Sequence, residues 1–407
     1  MRPPWHRSAV LLVAVLVVSM NLRGAITAVG PVLPEISADL GLSGTSAGLL
    51  TALPVLCFAL LAPASGWFGK RVGVDRAILL SCLVIGAGTA LRVFDGAPLL
   101  FAATFFIGAA MTVGNVLIPV VVKRDFAHRA GSVTGMYTAA LIVGAASAAG
   151  LTAPISAATS WRFGLAIWAV LAFAAAIVWY SATRRHGTST ARLEDEPPDL
   201  RAVRRAVWRS PVAWSVALVL GAQAAAYYAV TAWLPTLLVD EVDASLQTAG
   251  FGMSIFQFVG LVGTFAVASL ATVRDQQVWL GIIVAGLWLI MLGGLLAAPQ
   301  WWLVWSVAGG LGQGMGITLA LTLVALRSRD ADIAHDMSAM AQLVGYTAAA
   351  VAPFVVGALY DATGAWQTPL VILTVITGSI AIFGTIAGRN TTVGVSAPDY
   401  QGLGRSS

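Results

Sequence analysis

A long apolar run near the start of the chain contains two residues able to bind a ligand, Asn21 and Arg23. The run extends over residues 9–32, and about 20 apolar residues in a helix cross a bilayer. At about 1.5 Å per residue, Arg23 lies about 21 Å into this run, beyond the midplane. A guanidinium at that depth costs at least about 2.5–3.5 kcal/mol. The sequence places no acid in the middle of any apolar run to neutralise it.

Two interpretations of Arg23 follow. In the first, its side chain reaches the outer surface or binds backbone carbonyls as a structural clamp. In the second, it faces a water-filled cavity and binds an anion or a strongly dipolar solute. We favour the second because charged residues inside membranes are functional by default.

The composition identifies the class of protein. The chain has 407 residues, of which 58% are hydrophobic and only 10% are charged. A soluble domain carries about 25% charged residues, so we predict an integral membrane protein. The first apolar run is too long for a cleavable signal and lacks a small-residue cleavage site.

Several function classes are disfavoured by the same inventory. The net charge of +5 does not indicate nucleic-acid binding, because the basic residues lie in short loops between apolar runs. Cys57 and Cys82 fall inside apolar runs and are predicted to be free buried thiols. We find no nucleophile–base pair and no metal-ligand cluster, so we expect no enzyme, no cofactor and no metal.

Twelve apolar runs predict an all-α membrane protein with twelve transmembrane spans. The predicted spans are residues 9–32, 45–67, 76–94, 98–121, 131–155, 163–182, 211–238, 247–271, 277–297, 301–326, 337–359 and 367–388. With both termini cytoplasmic, every Lys and Arg except Arg23, Arg92 and Arg162 falls on the cytoplasmic side. This agrees with the positive-inside rule and supports the count.

The chain divides into two sets of six spans. We predict a first half at 1–182, a cytoplasmic linker at 183–210, a second half at 211–388 and a cytoplasmic tail at 389–407. The pair Arg124-Asp125 and Trp161 recur as Arg329-Asp330 and Trp366, at a constant offset of 205 residues. A parallel repeat of two six-helix halves places a solute site near the midplane between them.

Polar side chains within spans indicate which helices line a cavity, because buried polar groups in a membrane need water or partners. Spans 3, 6, 9 and 12 have no mid-span Asn, Gln or charged residue, so we expect them to face lipid or to pack. The candidate solute-binding residues are Asn21, Arg23, Asn115, Tyr137, Gln223, Tyr227, Gln257, Gln313, Gln342 and Tyr346.

The spacing of these residues supports shared faces but leaves an alternative open. Gln223 and Tyr227 are four residues apart, as are Gln342 and Tyr346, so each pair lies on one helix face. Asn and Gln also bridge neighbouring helices at about 0.6–2 kcal/mol each. For any single amide, helix bridging and ligand contact are about equally expected.

Several motifs resemble the cyanate/2-nitroimidazole (CynX/NimT) transporter family of the major facilitator superfamily. The stretch at 21–35 (NLRGAITAVGPVLPE) is similar to the start of that family. Further similar stretches are 114–126 (GNVLIPVVVKRDF), 134–137 (TGMY), 232–235 (AWLP) and 338–346 (SAMAQLVGY). The resemblance covers nearly the whole chain and implies the twelve-helix major facilitator fold and transport of a small solute.

One loop departs from the superfamily pattern Gly-x-x-x-Asp-Arg-x-Gly that follows span 2. Gly66, Arg71 and Gly73 match it, but Lys70 occupies the acidic position. A gating salt bridge at this loop therefore needs another acid, and Asp75 is the nearest substitute. The predicted cytoplasmic gating residues are Lys70, Arg71, Arg124, Asp125, Arg329 and Asp330.

The expected function is transport of a small anion or a polar, nitro-like solute by alternating access, with Arg23 as the charge anchor. A broad-specificity drug efflux pump and a non-transporting solute receptor are the alternatives. The absence of a mid-span carboxylate disfavours export of cationic drugs. We expect a monomer in the bacterial plasma (inner) membrane, with the bilayer and a small solute as its partners.

Energy coupling is predicted from the positions of the titratable residues. Proton-driven carriers place Asp, Glu or His within the membrane, whereas here the acids and His335 fall in loops or at span ends. Glu35, at the outer end of span 1, is the acid nearest the cavity, although a plain interfacial acid is the favoured interpretation of this residue. We therefore expect facilitated diffusion, exchange, or movement of a proton bound to the solute.

Overall fold

The computed structural model of the chain describes residues 4–94, 96–184, 201–271 and 273–394. Over these ranges the backbone is helical apart from short connections and one isolated bridge between Ser328 and Val393. Residues 185–200 of the predicted linker and 395–407 of the predicted tail lie outside the described residues.

Within the described ranges, twelve helical segments are long and apolar enough to cross a membrane, which confirms the predicted count. We number them as spans 1 to 12. They are Ala9–Leu40, Gly44–Val72, Val74–Leu91, Gly96–Asp125, Ser132–Ala158, Trp161–Thr183, Pro211–Val242, Leu246–Leu270, Val278–Ala297, Pro299–Arg327, Asp332–Thr363 and Gln367–Ala387.

Span 1 is interrupted within the membrane. Its first helix, Pro4–Thr27, is followed by a 3-10 turn at Gly30–Val32 and a short helix at Leu33–Leu40. Prolines at positions 31 and 34 remove backbone donors at the break, so a continuous helix cannot form there. Arg23 lies in the last turns of the first helix, next to this break.

Part of the predicted linker is a helix. Arg201–Arg209 forms a nine-residue helix with buried Val203 and Val207 on one side and exposed Arg205 and Arg209 on the other. An amphipathic, basic helix of this kind is typical of a membrane surface. The prediction of a linker at 183–210 therefore includes a structured segment immediately before span 7.

Residue contacts group the chain into two compact units. Unit 1 comprises Met1–Leu193, Tyr228–Phe258 and Ala350–Trp366, and unit 2 comprises Glu194–Tyr227, Val259–Ala349 and Gln367–Ser407. Unit 1 thus combines the predicted first half with the predicted outer ends of spans 7, 8 and 11. The division into two six-span halves stays a prediction.

Small residues allow close helix packing in unit 1. A Cβ on Gly144 of span 5 would collide with the carbonyl oxygen of Met20 in span 1. The hydroxyl of Thr27 donates to the carbonyl of Ala145 over 3.0 Å. Without a hydrophobic force between helices in lipid, such backbone approach is a main source of association, and it holds the helix that carries Arg23.

One contact occurs in both predicted halves. The indole of Trp161 donates to Asp39 over 3.1 Å, and the indole of Trp366 donates to Asp240 over 3.0 Å. Trp161 begins span 6 and Trp366 directly precedes span 12, while Asp39 and Asp240 lie near the ends of spans 1 and 7. The repeated tryptophan therefore makes the same hydrogen bond twice, which supports the sequence repeat.

Candidate functional site

The direction in which Arg23 points follows from the contacts of its neighbours in span 1. Asn21 donates from Nδ2 to the carbonyl of Leu171 in span 6 over 3.3 Å, so this side of the helix meets span 6. Residues two apart in a helix point about 200° apart. Arg23 therefore points away from span 6, between the sides on which Leu22 meets span 4 and Gly24 meets span 5.

Arg23 and Asn115 lie at the same depth. Leu22 of span 1 is in direct contact with Gly114 of span 4. Arg23 directly follows Leu22, and Asn115 directly follows Gly114. Arg23 is partly exposed and Asn115 is exposed, although both lie within spans. An exposed amide at this depth cannot face lipid without cost, so this face of unit 1 is suited to water or a solute.

Asn21 is bound to backbone instead. Its Nδ2 also donates to the carbonyl of Val17 over 2.9 Å, and its side chain is buried. Both N–H groups of the amide therefore have acceptors in spans 1 and 6. These contacts favour the helix-bridging alternative for Asn21 over direct solute contact.

Two further candidates in unit 1 differ in exposure. Tyr137 of span 5 is partly exposed, whereas Gln257 of span 8 is buried. Tyr137 lies seven residues, about two helical turns, before Gly144, the point of contact with Met20. It is therefore placed about 10 Å from that contact, toward the predicted cytoplasmic end of span 5.

In unit 2, Gln223 connects three spans. Its Nε2 donates to the carbonyl of Gln313 in span 10 over 2.9 Å, and its Oε1 accepts from the indole of Trp288 in span 9 over 2.8 Å. Gln223, Gln313 and the neighbouring Tyr227 are all buried. For Gln223 the contacts favour helix bridging.

Gln342 has the opposite environment. It is exposed within span 11 and donates to the hydroxyl of Ser338 over 3.0 Å. Gly345 and Val344 are the residues of span 11 that pack on span 7, through Leu220 and Gly221. Gln342 and the partly exposed Tyr346 therefore form a separate polar face of this helix, suited to a wet interior.

The two glutamines give a matched prediction. Gln223→Ala removes a donor and an acceptor, leaves the Trp288 N–H without its partner, and should lower the free energy of unfolding by about 1–3 kcal/mol. Gln342→Ala should leave the melting temperature unchanged and raise the solute KM about 2- to 10-fold. Thermal unfolding in detergent and uptake kinetics measure both. A raised KM at full stability in Gln223→Ala would restore it as a solute-binding residue.

Comparison with known proteins identifies the family. A family model of the Major Facilitator Superfamily matches residues 11–334. The chain belongs to this superfamily. The uncharacterized transporter YycB of Bacillus subtilis is 35% identical to this transporter, over 93% of this chain and 94% of the relative.

Other relatives agree with the resemblance to the CynX/NimT family. The 2-nitroimidazole transporter of Escherichia coli is 32% identical over 94% of this chain and 96% of its own. The cyanate transport protein CynX of Escherichia coli is 29% identical over 87% and 91%. The twelve-helix fold is also that of a bacterial homolog of the human lysosomal transporter Spinster, with a TM-score of 0.77 at 15% identity over 96% and 98% of the two chains.

At the predicted cytoplasmic ends of spans 3 and 4, the transporter uses Asp75 as an acid partner. Arg124 donates to both oxygens of Asp75, over 2.8 and 3.2 Å, and to Asp125 over 2.7 Å. Lys70 and Arg71 are exposed, and the Arg71 guanidinium lies 4.9 Å from the ring centre of Trp67. Asp75, five residues after Lys70, thus supplies the carboxylate that the superfamily pattern places at position 70.

The corresponding cluster in unit 2 uses a different arginine from the one expected. Arg327 is buried and donates to the Gln277 side chain and to the carbonyls of Ala387 and Gly388. Arg329, the counterpart of Arg124 by sequence offset, is exposed. The offset of 205 residues indicates Arg329 as the counterpart of Arg124. Span 10 ends at Arg327, however, so the arginine that points into the helix bundle is Arg327, two residues earlier.

Asp330 has a local structural role, and it extends span 11. Its Oδ1 accepts from the backbone N–H of Ile333 over 2.9 Å and so caps the helix Ala331–Thr363. The helix therefore begins six residues before the predicted start of the span. His335 and Asp336, expected outside the span, lie within it.

Asp336 is a buried acid that was not predicted, because the predicted start of span 11 at residue 337 left it just outside the span. It is 4% exposed, and its Oδ2 has no hydrogen-bond partner among the described residues. Its only sequence signal is its position in the first turns of an unusually polar helix start, Ala331-Asp-Ile-Ala-His-Asp336. The transporter thus has a second candidate titratable site besides Glu35.

Spans 2 and 11 are joined at their predicted outer ends within unit 1. Asp361 accepts from the backbone N–H groups of Gly44 and Thr45 and from the Thr45 hydroxyl, each over 2.7 Å. A carboxylate at a helix N-terminus is favourable because it completes the unpaired N–H groups and the helix dipole. We refer to these three residues as the outer latch.

Close backbone contact continues below the outer latch. Gly48 packs against the carbonyl of Pro353, and Gly357 packs against the carbonyl of Gly44. Spans 1 and 7 also touch, since a Cβ on Gly30 would lie 2.6 Å from the carbonyl oxygen of Thr231. These contacts close the predicted outer ends of spans that the sequence assigns to different halves.

Arg92 is a buried cation at the predicted outer end of span 3. No role in the solute site was predicted for it, yet it is 1% exposed and donates to the carbonyl of Ala25 over 3.2 Å. It lies one residue beyond the span Val74–Leu91, and burial lowers the pKa of its guanidinium to about 10. Its contact with Ala25 depends on how spans 1 and 3 pack, which residue type and spacing do not reveal.

Proposed function

We propose that this transporter moves a small anion or a polar, nitro-like solute of the cyanate or nitroimidazole type across the bacterial plasma membrane. Arg23 is the charge anchor. Asn115 and Tyr137 of unit 1 present hydrogen-bonding groups to the solute, and Gln342 and Tyr346 of unit 2 are proposed separately as solute-contacting residues. The single observation that supports this best is the partly exposed Arg23 at the same depth as the exposed Asn115.

The chemistry of Arg23 suits such a solute. Its guanidinium is planar, stays protonated, and presents paired N–H donors that match two oxygens of one anion or nitro group. Cyanate and nitrite are small anions, and the relatives include a cyanate transport protein and a nitrite extrusion protein. An anchor with this geometry accommodates both charged and strongly dipolar members of the class.

The direct test is reconstitution of the purified transporter in liposomes with a panel of solutes. Cyanate, nitrite and 2-nitroimidazole are expected to be transported, and a bulky lipophilic cation such as tetraphenylphosphonium is expected not to be. Saturable movement of the cation with no movement of the three small solutes would favour a drug efflux pump.

Alternating access requires the outer ends of the spans to close and open around the site. The outer latch and the Gly48–Pro353 contact supply a closed state held in part by hydrogen bonds and backbone packing. We therefore propose that solute release and binding on the outer side require separation of spans 2 and 11.

We place both termini in the cytoplasm. The described arginines near span ends support this orientation, because Arg76, Arg129, Arg209 and Arg274 lie on the side of the membrane assigned to the termini. The basic linker helix adds charge to the same side. Cysteine labelling at Ser160 and Ser210, which lie at opposite ends of spans, tests the orientation.

We propose transport without a dedicated proton-coupling residue. Glu35 is partly exposed and accepts a hydrogen bond from the Ser156 hydroxyl over 2.5 Å, which gives it a structural partner in span 5. The Arg23 guanidinium stays protonated throughout the physiological range. Facilitated diffusion, exchange, or movement of a proton bound to the solute accounts for transport with these residues.

An imposed pH gradient gives the corresponding prediction. Liposomes loaded with the transporter should equilibrate 2-nitroimidazole at a pH where the solute does not titrate, without accumulating it. Glu35→Gln and Asp336→Asn should leave this behaviour unchanged. Gradient-driven accumulation that disappears in one of the two variants would contradict the prediction and identify that acid as the coupling residue.

A further inference from the structure

Arg92 is a buried cation with unmet hydrogen-bonding capacity. A guanidinium has five N–H donors, and the described contacts use only Nη1, which donates to the carbonyl of Ala25. Nε and Nη2 are sealed from solvent and have no partner among the described residues. No Asp or Glu of the described chain lies within ion-pair distance of Arg92. A buried charge with unsatisfied donors is unfavourable. A conformation in which those donors gain a partner is therefore favoured relative to the one described.

The unused edge of Arg92 has a specific shape. Nε–H and Nη2–H point in parallel on one side of the guanidinium, and this pair is the one that binds two oxygens of an anion bidentately. The bond to Ala25 occupies the opposite side. The structure therefore leaves open the edge that recognises small oxyanions.

Two hydroxyls of spans 3 and 4 are also unpaired among the described residues. Thr89 lies one turn before Arg92 on the same helix face, and its Oγ1 is buried without a partner. Thr104 of span 4 is likewise buried without a partner for Oγ1. It follows Ala103, whose carbonyl oxygen would lie 3.4 Å from a Cβ on Gly88, next to Thr89. The three unsatisfied side chains therefore belong to facing segments of spans 3 and 4.

The position of this group relates it to Arg23. Arg92 binds the carbonyl of Ala25, two residues beyond Arg23 on the same helix, and it lies at the predicted outer end of span 3. A solute arriving from outside would meet Arg92 before Arg23. In the described structure Arg92 is 1% exposed, so this edge is closed to solvent.

We propose that Arg92, with Thr89 and Thr104, forms a second small-anion site that is filled when the outer ends separate. Its ligands are monovalent anions with two acceptor oxygens or a linear acceptor pair, such as nitrite or cyanate. The inference rests on the proposed transport of small anions. The closed state leaves the donors of Arg92 unsatisfied, so an anion on the outer side stabilises the open state.

Side-specific kinetics test the site. Nitrite uptake in right-side-out vesicles measures the outer KM, and uptake in inside-out vesicles measures the inner KM. Arg92→Gln should raise the outer KM about 10- to 100-fold and leave the inner KM within about twofold, because charge-assisted hydrogen bonds are lost on one side only. Arg92→Lys should give an intermediate outer KM, since the charge remains without the bidentate edge.

Arg162→Gln is the matched control. Arg162 is a second arginine on the predicted outer side, but it is exposed, pairs with Asp39 over 2.7 Å and lies over the Trp161 ring. Its substitution should change neither KM. An equal rise of the outer and inner KM in Arg92→Gln, or no rise beyond that of Arg162→Gln, would overturn the inference and leave Arg92 as a cap of the span 1 helix.

A binding measurement separates this inference from the proposed function. In an Arg23→Ala background, nitrite should still raise the melting temperature of the purified protein, and the added Arg92→Gln substitution should abolish that rise. If wild-type vesicles transport neither nitrite nor cyanate, the proposed function fails, and this thermal shift alone decides the Arg92 site. No nitrite-dependent shift in the Arg23→Ala protein would refute it.

Discussion

Arg23→Ala should reduce transport at least about 100-fold while the protein still folds and inserts. The variant removes the charge and every guanidinium donor, and each charge-assisted hydrogen bond contributes about 1.5–3 kcal/mol. Folding should survive because deletion removes a charge that is costly within the membrane. Reconstituted uptake measures the first effect, and size-exclusion chromatography with thermal unfolding measures the second.

Arg23→Lys and Asn21→Ala sharpen this prediction. Lysine retains the charge but lacks the planar fork, so Arg23→Lys should keep only part of the activity. Asn21→Ala removes the helix-bridging contacts to Val17 and Leu171, so it should lower stability and leave the solute KM unchanged. Normal transport by Arg23→Ala, or its failure to fold, would remove the charge-anchor role.

Asp361→Asn should open the outer end of the transporter. The carboxylate accepts three hydrogen bonds from the first turn of span 2, and asparagine offers one acceptor oxygen without charge. A loss of about 1–3 kcal/mol shifts the ratio of open to closed states by about 5- to 150-fold. Hydrogen–deuterium exchange of residues 44–48 should rise accordingly, since their N–H groups lose the cap.

Asp240→Asn is the control for the outer latch. Asp240 is also an aspartate near the predicted outer surface, but it accepts from Tyr360 and Trp366, and no hydrogen bond joins it to the described residues of span 2. Its substitution should leave exchange at 44–48 unchanged. Equal exchange in wild type and Asp361→Asn would show that backbone packing at Gly48 and Gly357 alone holds the ends together.

Hydropathy and charge were sufficient to predict the twelve spans, because each needs about 20 apolar residues and each short loop must obey the positive-inside rule. The break in span 1 was not predicted, although Pro31 and Pro34 signal it. The start of span 11 was misjudged because charged residues were taken to mark a loop, whereas the helix includes His335 and Asp336.

The site was only partly predictable for a different reason. Residue type marks a side chain as polar, but its role depends on what lies opposite it. Gln223 and Gln342 have the same chemistry and the same spacing to a tyrosine, yet one is enclosed by Trp288 and Gln313 and the other is exposed. The burial of Arg92 against Ala25 depends on how spans 1 and 3 pack, which the sequence does not reveal.

The unlike arginine clusters at the two predicted cytoplasmic ends have an electrical consequence. Arg124 has two carboxylates as neighbours, whereas the described partners of Arg327 are an amide and two carbonyls, which carry no charge. An unneutralised charge responds to the membrane potential by about 2.3 kcal/mol per 100 mV for full crossing. If the helices around Arg327 shift through a tenth of that field during transport, the interior-negative potential of a living cell biases the cycle by about 0.2 kcal/mol. The Arg327 cluster therefore responds to the membrane potential as a positive charge, whereas the Arg124 cluster, with one guanidinium and two carboxylates, responds in the opposite sense.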